Sequence, residues 1–271
     1  MLRSHKTISK TATIEGVNRD GENTMVKLNP SKFGLGIHFK DQDGNTYLKP
    51  MDMVNENVKS RLELNDGGFT IWDAEHMLAA IASFGITDLE ITVVNGMPFP
   101  DYNAKKFFDA IEQNGVTTHE EKSWSANVAN GRRTVVALKD GSWAELVPSP
   151  DDKFHIECVI ANAELGVLGC RYTEGEDFSE LAKDKPMVVA NPDELPEDVK
   201  KNIIVMHEGK VVTPCVSEAE IAGHIAVDVL GSMALFGPIP NVTIRTLNPN
   251  SQTIFKLMRK HYRKLQRQLT K

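Results

Sequence analysis

No stretch of this chain approaches the roughly 18 consecutive apolar residues needed to span a bilayer. The opening Met1-Leu2-Arg3-Ser4-His5-Lys6 has no apolar core behind it, so no secretory leader is expected. A soluble, cytoplasmic protein is the simplest expectation. Cysteine is scarce: Cys158, Cys170 and Cys215 are odd in number and lack CxxC spacing. That pattern indicates neither a disulfide framework nor a thiolate zinc site, and the three read as small core or half-buried residues. An overall basic charge is absent too. The net charge of −6 argues against general nucleic-acid binding.

Acid, abundant elsewhere, is missing from the last 21 residues. Lys256, Arg259, Lys260, Arg263, Lys264, Arg267 and Lys271 make seven basic residues there, which leaves −13 on the other 250. Ile254, Met258, Tyr262, Leu265 and Leu269 follow helical spacing, so the terminus reads as a basic amphipathic helix. Its plain role is docking by the apolar stripe with a solvated basic face. A weak contact of 254–271 with an anionic surface is the sharper alternative.

What is present is enough for a packed core. With 271 residues, 41% hydrophobic and 25% charged, the chain has the length of one large domain or two ordinary ones. One phrase occurs twice. Phe84-Gly85 closes a helix and precedes the alternating run Leu89–Val93; Phe236-Gly237 closes another and precedes Val242–Thr246. Each run leads through an Asn/Pro loop into a further helix, near 103–113 and 251–265. Such internal repetition predicts two copies of one structural unit.

Helix signals agree with this plan. Thr70 as N-cap with Asp73 three residues on predicts a helix over 73–84, and Ser217 with Glu220 predicts one over 218–236. The second is apolar nearly all round (Ile221, Ile225, Val229, Leu230, Met233, Leu235) and should be buried. Strands are expected over 6–15, 23–28, 34–40, 134–138, 142–147, 154–160 and 203–206, with turns at Asp43-Gly44, Asp140-Gly141 and Glu208-Gly209. The acidic stretch 174–198, with Pro186, Pro192 and Pro196, reads as a surface connection carrying a short helix at 196–202. Helix and strand mix without regular βαβ alternation, so the class is α+β. Two similar domains are expected, 1–120 and 121–271, each a small, mostly antiparallel sheet packed with two helices, with a boundary near Thr117–Ser123.

The chemistry concentrates at two places. His224 and Asp228, four apart on a helix, point the same way, and buried there they are costly unless paired or metal-bound. Counting back eight residues from the two phenylalanines lands on His76 in one half and on Asp228 in the other. Two imidazoles and one carboxylate are an open ligand set for a catalytic zinc, and Glu75 stands where a general base for the attacking water would be. The spacing predicts a metal held between facing halves.

Asp73-Ala74-Glu75-His76-Met77-Leu78-Ala79-Ala80, Gly85-Ile86, and Asp101-Tyr102-Asn103-Ala104 with Phe107 together resemble the first half of UDP-3-O-acyl-N-acetylglucosamine deacetylases, the zinc enzymes of lipid A synthesis. Gly16-Val17, Trp143-Ala144-Glu145, Phe154, Arg171-Tyr172 and the His224/Asp228 pair follow in matching order, so the resemblance spans nearly the whole chain, with a shorter 183–210 region. It implies two α+β domains, Zn2+ held by His76, His224 and Asp228, and Glu75 as the base. The substrate it implies is a small N-acyl, sugar-like molecule.

The departures are specific. The family's Lys after the second ligand His is Ile225, and its Asp four residues after the ligand Asp is Ser232. Its C-terminal acid His aligns with Ser251, its oxyanion-binding Thr with Val159, and the His of its glycine-rich segment near Asn18-Arg19. His261 is the nearest alternative cation and reads as a surface side chain of the basic helix. Three readings stay open: a zinc-dependent deacetylase with altered substrate, a diverged binding or scaffolding module, and hydrogen-bonded core groups without metal.

Overall fold

The computed structural model describes residues 2–18, 22–40, 47–55, 62–65, 70–98, 103–125, 133–214 and 216–269. In the first half, β1 (Leu2–Ile8), β2 (Ala12–Val17), β3 (Asn23–Pro30), β4 (Ile37–Lys40) and β5 (Tyr47–Leu48) come first. A short α1 (Pro50–Met53) and the hairpin β6 (Glu63–Asn65) and β7 (Thr70–Trp72) precede α2 (Glu75–Ser83), β8 (Leu89–Val94) and α3 (Lys105–Asn114). Strand β9 (Val116–Ser125) leads to the second half, which opens with β10 (Thr134–Ala137), β11 (Trp143–Pro148), β12 (His155–Asn162) and β13 (Gly166–Thr173). An insert of β14 (Met187–Val189), α4 (Glu197–Lys200), β15 (Ile204–His207) and β16 (Lys210–Val211) follows. The half ends with α5 (Glu218–Ala234), β17 (Val242–Leu247) and α6 (Ser251–Leu269).

The two principal sheets have the orders β2-β3-β8-β4-β5 and β10-β11-β17-β12-β13. In each, the last strand to arrive enters the middle. It runs antiparallel to the second strand of its sheet in chain order and parallel to the third. The alternation of β8 explains its place: Leu89, Ile91 and Val93 are buried on one face, as a half-covered strand requires. Order and direction are therefore duplicated across the whole sheet, and the α+β expectation of two similar, mostly antiparallel units is what folds.

The two units meet through their helices. Helix α5 lies on β12 and β13, α6 on β10 and β11, and α2 packs against both α3 and α5. One apolar cluster runs from Ile8 to Met258 through both halves. The expected cap of α5 is present, with the Glu220 N–H donating to Ser217 Oγ at 3.1 Å. The helix is buried from Ile221 to Ala234 except at Asp228. No helix among the described residues is long and apolar enough to cross a membrane.

Several expectations are corrected. The single strand read over 6–15 is two, split at Ser9-Lys10-Thr11, because β1 pairs with β9 while β2 pairs with β3. Residues 117–123, where the domain boundary is expected, lie within the ten-residue strand β9. We propose the division of the chain near residue 120, with β9 as the paired strand joining the domains. Arg3 of β1 also ties the halves: its guanidinium meets Glu174 at 2.5 Å, the Asp152 carbonyl at 2.9 Å, and Asn241. Thr70 caps nothing, since it belongs to β7, and α2 starts at Glu75 after Asp73 turns the chain with φ +57°. The acidic connection contains β14, paired parallel with β15. His261 is buried, 3.4 Å from Thr134 Oγ1, rather than on the surface. The Asp43-Gly44 turn, Arg19, Asp101-Tyr102, Cys215 and Lys271 lie outside the described residues, as do the side chains of Lys264, Leu265, Arg267 and Leu269.

Candidate metal centre

The first turn of α2 and the middle of α5 cross closely because Gly231 has no side chain. A Cβ there would lie 2.0 Å from the Glu75 carbonyl oxygen and 2.6 Å from its Cα. A glycine inside a helix costs about 1 kcal/mol against alanine, and this close approach is what that cost permits. The crossing sets His76 against the His224/Asp228 turn. His76 Nε2 is 3.3 Å from His224 Nδ1 and 3.1 Å from Asp228 Oδ1, and His224 Nε2 is 3.2 Å from Asp228 Oδ2. All three donor groups lie within 4.8 Å of one another.

That donor set fits a metal ion. Ligand bonds of about 2.0–2.1 Å in a tetrahedron put neighbouring donors roughly 3.3 Å apart, and three protein ligands leave a fourth position open. The Met187 N–H at the start of β14 donates to His224 Nε2 at 3.0 Å. With Nε2 accepting, the neutral ring carries its proton on Nδ1. Binding a metal through either nitrogen therefore displaces a proton or this hydrogen bond.

The carboxylates beside the imidazoles are pushed apart. Glu75 is buried, and Ser251 Oγ donates to its Oε1 at 2.8 Å. Burial first, then the charges of Asp228 and Asp73, raise its pKa to about 8. Burial acts on Asp228 in the same direction, but the imidazoles of His224 and His76 outweigh it and hold Asp228 below the ordinary carboxylate range. The two carboxyl groups shift in opposite directions: Glu75 takes up a proton near neutral pH, and Asp228 stays charged.

A cleft of about 460 Å³ opens on these groups. Besides Glu75 and the three candidate ligands, its walls include Asp73, Ile225, Ser232, Ser251, Asn250 and the β14 residues Met187, Val188 and Val189. Of the positions at which the sequence departs from the resemblance, Ile225, Ser232 and Ser251 line the cleft. Val159 sits on β12, half-buried, and is not among the lining residues. Glu75 and His76 are more buried than a first-turn position suggests, each only 6% exposed. Sequence reasoning missed Asp73 as a lining residue and the Met187 amide, neither of which has a local signal. Gly231 did have one, a glycine inside an otherwise apolar helix.

The model of the family described as UDP-3-O-acyl N-acetylglycosamine deacetylase matches residues 5–182. That span includes Glu75 and His76, while His224 and Asp228 lie beyond it. Among curated proteins, a UDP-3-O-acyl-N-acetylglucosamine deacetylase of Campylobacter hominis is 22% identical over 246 residues, covering 85% of this chain and 82% of the relative. Proteins of the same name from Pseudoalteromonas translucida and Campylobacter fetus are 23% and 24% identical, over 86% and 85% of this chain and 82% of each relative.

Proposed function

The chain belongs to the UDP-3-O-acyl N-acetylglycosamine deacetylase family, and from that premise we propose a zinc-dependent amidohydrolase in which Glu75 is the proton-transferring base. The substrate is an N-acyl, sugar-like compound that loses its acyl group to water. The observation that carries the reading is the convergence of His76, His224 and Asp228 beside the buried carboxyl of Glu75. A zinc ion held by the three supplies Lewis acidity toward a water and the acyl oxygen.

Glu75 takes a proton from the water as its oxygen bonds to the acyl carbon. As the C–N bond breaks, Glu75 passes that proton to the departing amine, so one residue serves as base and then acid. Burial raises the Glu75 carboxyl above the ordinary carboxylate range, toward the neutral pH at which a proton carrier works best. Ser251, hydrogen-bonded to Oε1 at 2.8 Å, fixes the carboxyl's orientation. Ser251 and Ser232 favour a second reading, because the family's acid His and its orienting Asp are both absent. Loss of a general acid costs ~10²–10⁴ in rate, which leaves a metal-binding module with little turnover as the alternative.

The test is Glu75→Gln. It is expected to retain about one zinc per chain and lose measurable hydrolysis of N-acetylated sugars. Full turnover in that variant refutes the role of Glu75. Failure of the wild type to hold zinc after reconstitution refutes the metal assignment.

A further inference from the structure

Ser232 lies one helical turn beyond Asp228 on α5, lines the cleft, and is 1% exposed. Its Oγ has no hydrogen-bond partner among the described residues. A hydroxyl inside a helix ordinarily bonds the carbonyl one turn back, and a buried one left unbonded costs stability. An unbonded, buried hydroxyl in the wall of a reaction cleft is one whose partner arrives with the ligand.

The walls around it narrow the chemistry further. Ile225, Val229, Ile254, Val188 and Val189 are apolar, and among the described residues no lysine or arginine lines the cleft. Apart from the zinc itself, a diphosphate placed here would meet the carboxyl of Asp73 with no cation among the described lining residues to neutralise it, and burying unpaired charge is costly. A neutral polyol arm meets no such penalty.

We propose that Ser232 is a substrate-binding residue that selects an uncharged N-acyl compound, hydrogen-bonding a hydroxyl of the part that does not react. The proposal rests on the reading of this cleft as an amidohydrolase site. The four-residue step from Asp228 to Ser232 rises about 6 Å along the helix. The recognised hydroxyl therefore sits a few bonds from the scissile amide, as on the ring of an N-acyl sugar. A nucleoside diphosphate on that ring contributes nothing to binding.

The experiment compares three probes on zinc-loaded protein: N-acetylglucosamine, N-cyclohexylacetamide, which has a similar-sized ring without oxygen, and UDP-N-acetylglucosamine. Affinity by calorimetry and kcat/KM are measured for wild type and Ser232→Ala. The sugar should bind roughly tenfold more tightly than the cyclohexyl compound, within the span of one net hydrogen bond. The UDP conjugate should bind no better than the sugar. Ser232→Ala should erase the sugar's advantage and at the same time raise the Tm of the ligand-free protein, since it removes an unbonded buried hydroxyl.

A merely structural serine would instead lower Tm on substitution. A drop in Tm, an unchanged sugar-to-cyclohexyl ratio, or tighter binding of the UDP conjugate overturns the proposal, and so does a wild type that binds none of the probes. The calorimetric order of affinities needs no turnover. If the order holds without hydrolysis, the amidohydrolase reading fails while the role of Ser232 stands.

Discussion

Replacing Gly231 by alanine separates two opposed effects by their sign. In an unobstructed helix the change stabilises by about 1 kcal/mol through propensity and lost backbone entropy. Here the new Cβ would sit 2.0 Å from the Glu75 carbonyl oxygen, where ordinary contact begins at 3.4 Å. The obstruction is backbone, so it cannot turn aside; α2 and α5 must separate by about 1.4 Å at that point. Overpacking costs about 1–3 kcal/mol, and a rigid obstacle puts this case at the upper end. The net expectation is destabilisation of about 2 kcal/mol, or roughly 4–8 °C in Tm for a chain of this size.

The same movement carries His76 away from Asp228, now 3.1 Å apart, so the defect should also appear in the metal. Calorimetric unfolding with and without zinc, together with a chelator competition, reads both quantities. Gly231→Ala should unfold earlier, and zinc should raise its Tm less than it raises that of the wild type. A variant that melts a few degrees higher with unaltered zinc affinity refutes the close crossing and the site geometry that depends on it.

Asp228→Ala should lose zinc and also destabilise the metal-free protein by about 1–3 kcal/mol, because His76 and His224 are left buried without their carboxylate; equilibrium dialysis with denaturant titration checks both. Asp184 gives a pH prediction. Burial first, then Glu220 and Glu180, raise its pKa to about 7, so the folded protein favours the protonated form. The stability it contributes is full below about pH 4 and is lost as the pH rises toward 7. Its partial exposure and solvent screening reduce the effect to about 1 kcal/mol. Asp184→Asn should raise Tm by roughly 2–4 °C at pH 8 and leave it unchanged at pH 4, and equal shifts at both pH values would sink the assignment.

The legible parts of the fold were those whose pattern and environment agree. Helix α5 is apolar nearly all round and capped by Ser217, and β8 alternates and lies half-covered, so periodicity alone located both. The duplicated Phe-Gly phrase located the repeat, and through it the pairing of His76 with Asp228. What escaped was set by partners far away in sequence. Strand β9 carries a polar sequence and is strand only because β1 lies beside it. Thr70 and Asp73 imitate a capping box, yet Thr70 is held in β7 by β6. His261 looks like a member of a basic surface but turns inward to Thr134. The insert strand β14 hides in an acidic, proline-bearing stretch because its ladder is formed with β15, beyond α4.

The placement of the proposed ligands on both halves has a consequence for biosynthesis. His76 and His224 are 148 residues apart. At about 5–20 residues per second on the ribosome, roughly 7–30 s separate their synthesis. Throughout that interval the nascent chain displays one imidazole of the set and no chelate, so zinc cannot be captured early or used to template the first half. Helix α2, which packs against α5, likewise waits for that helix to be made. With zinc held as proposed, metal uptake is a terminal step of maturation, available only to a chain translated past Asp228 and closed upon itself.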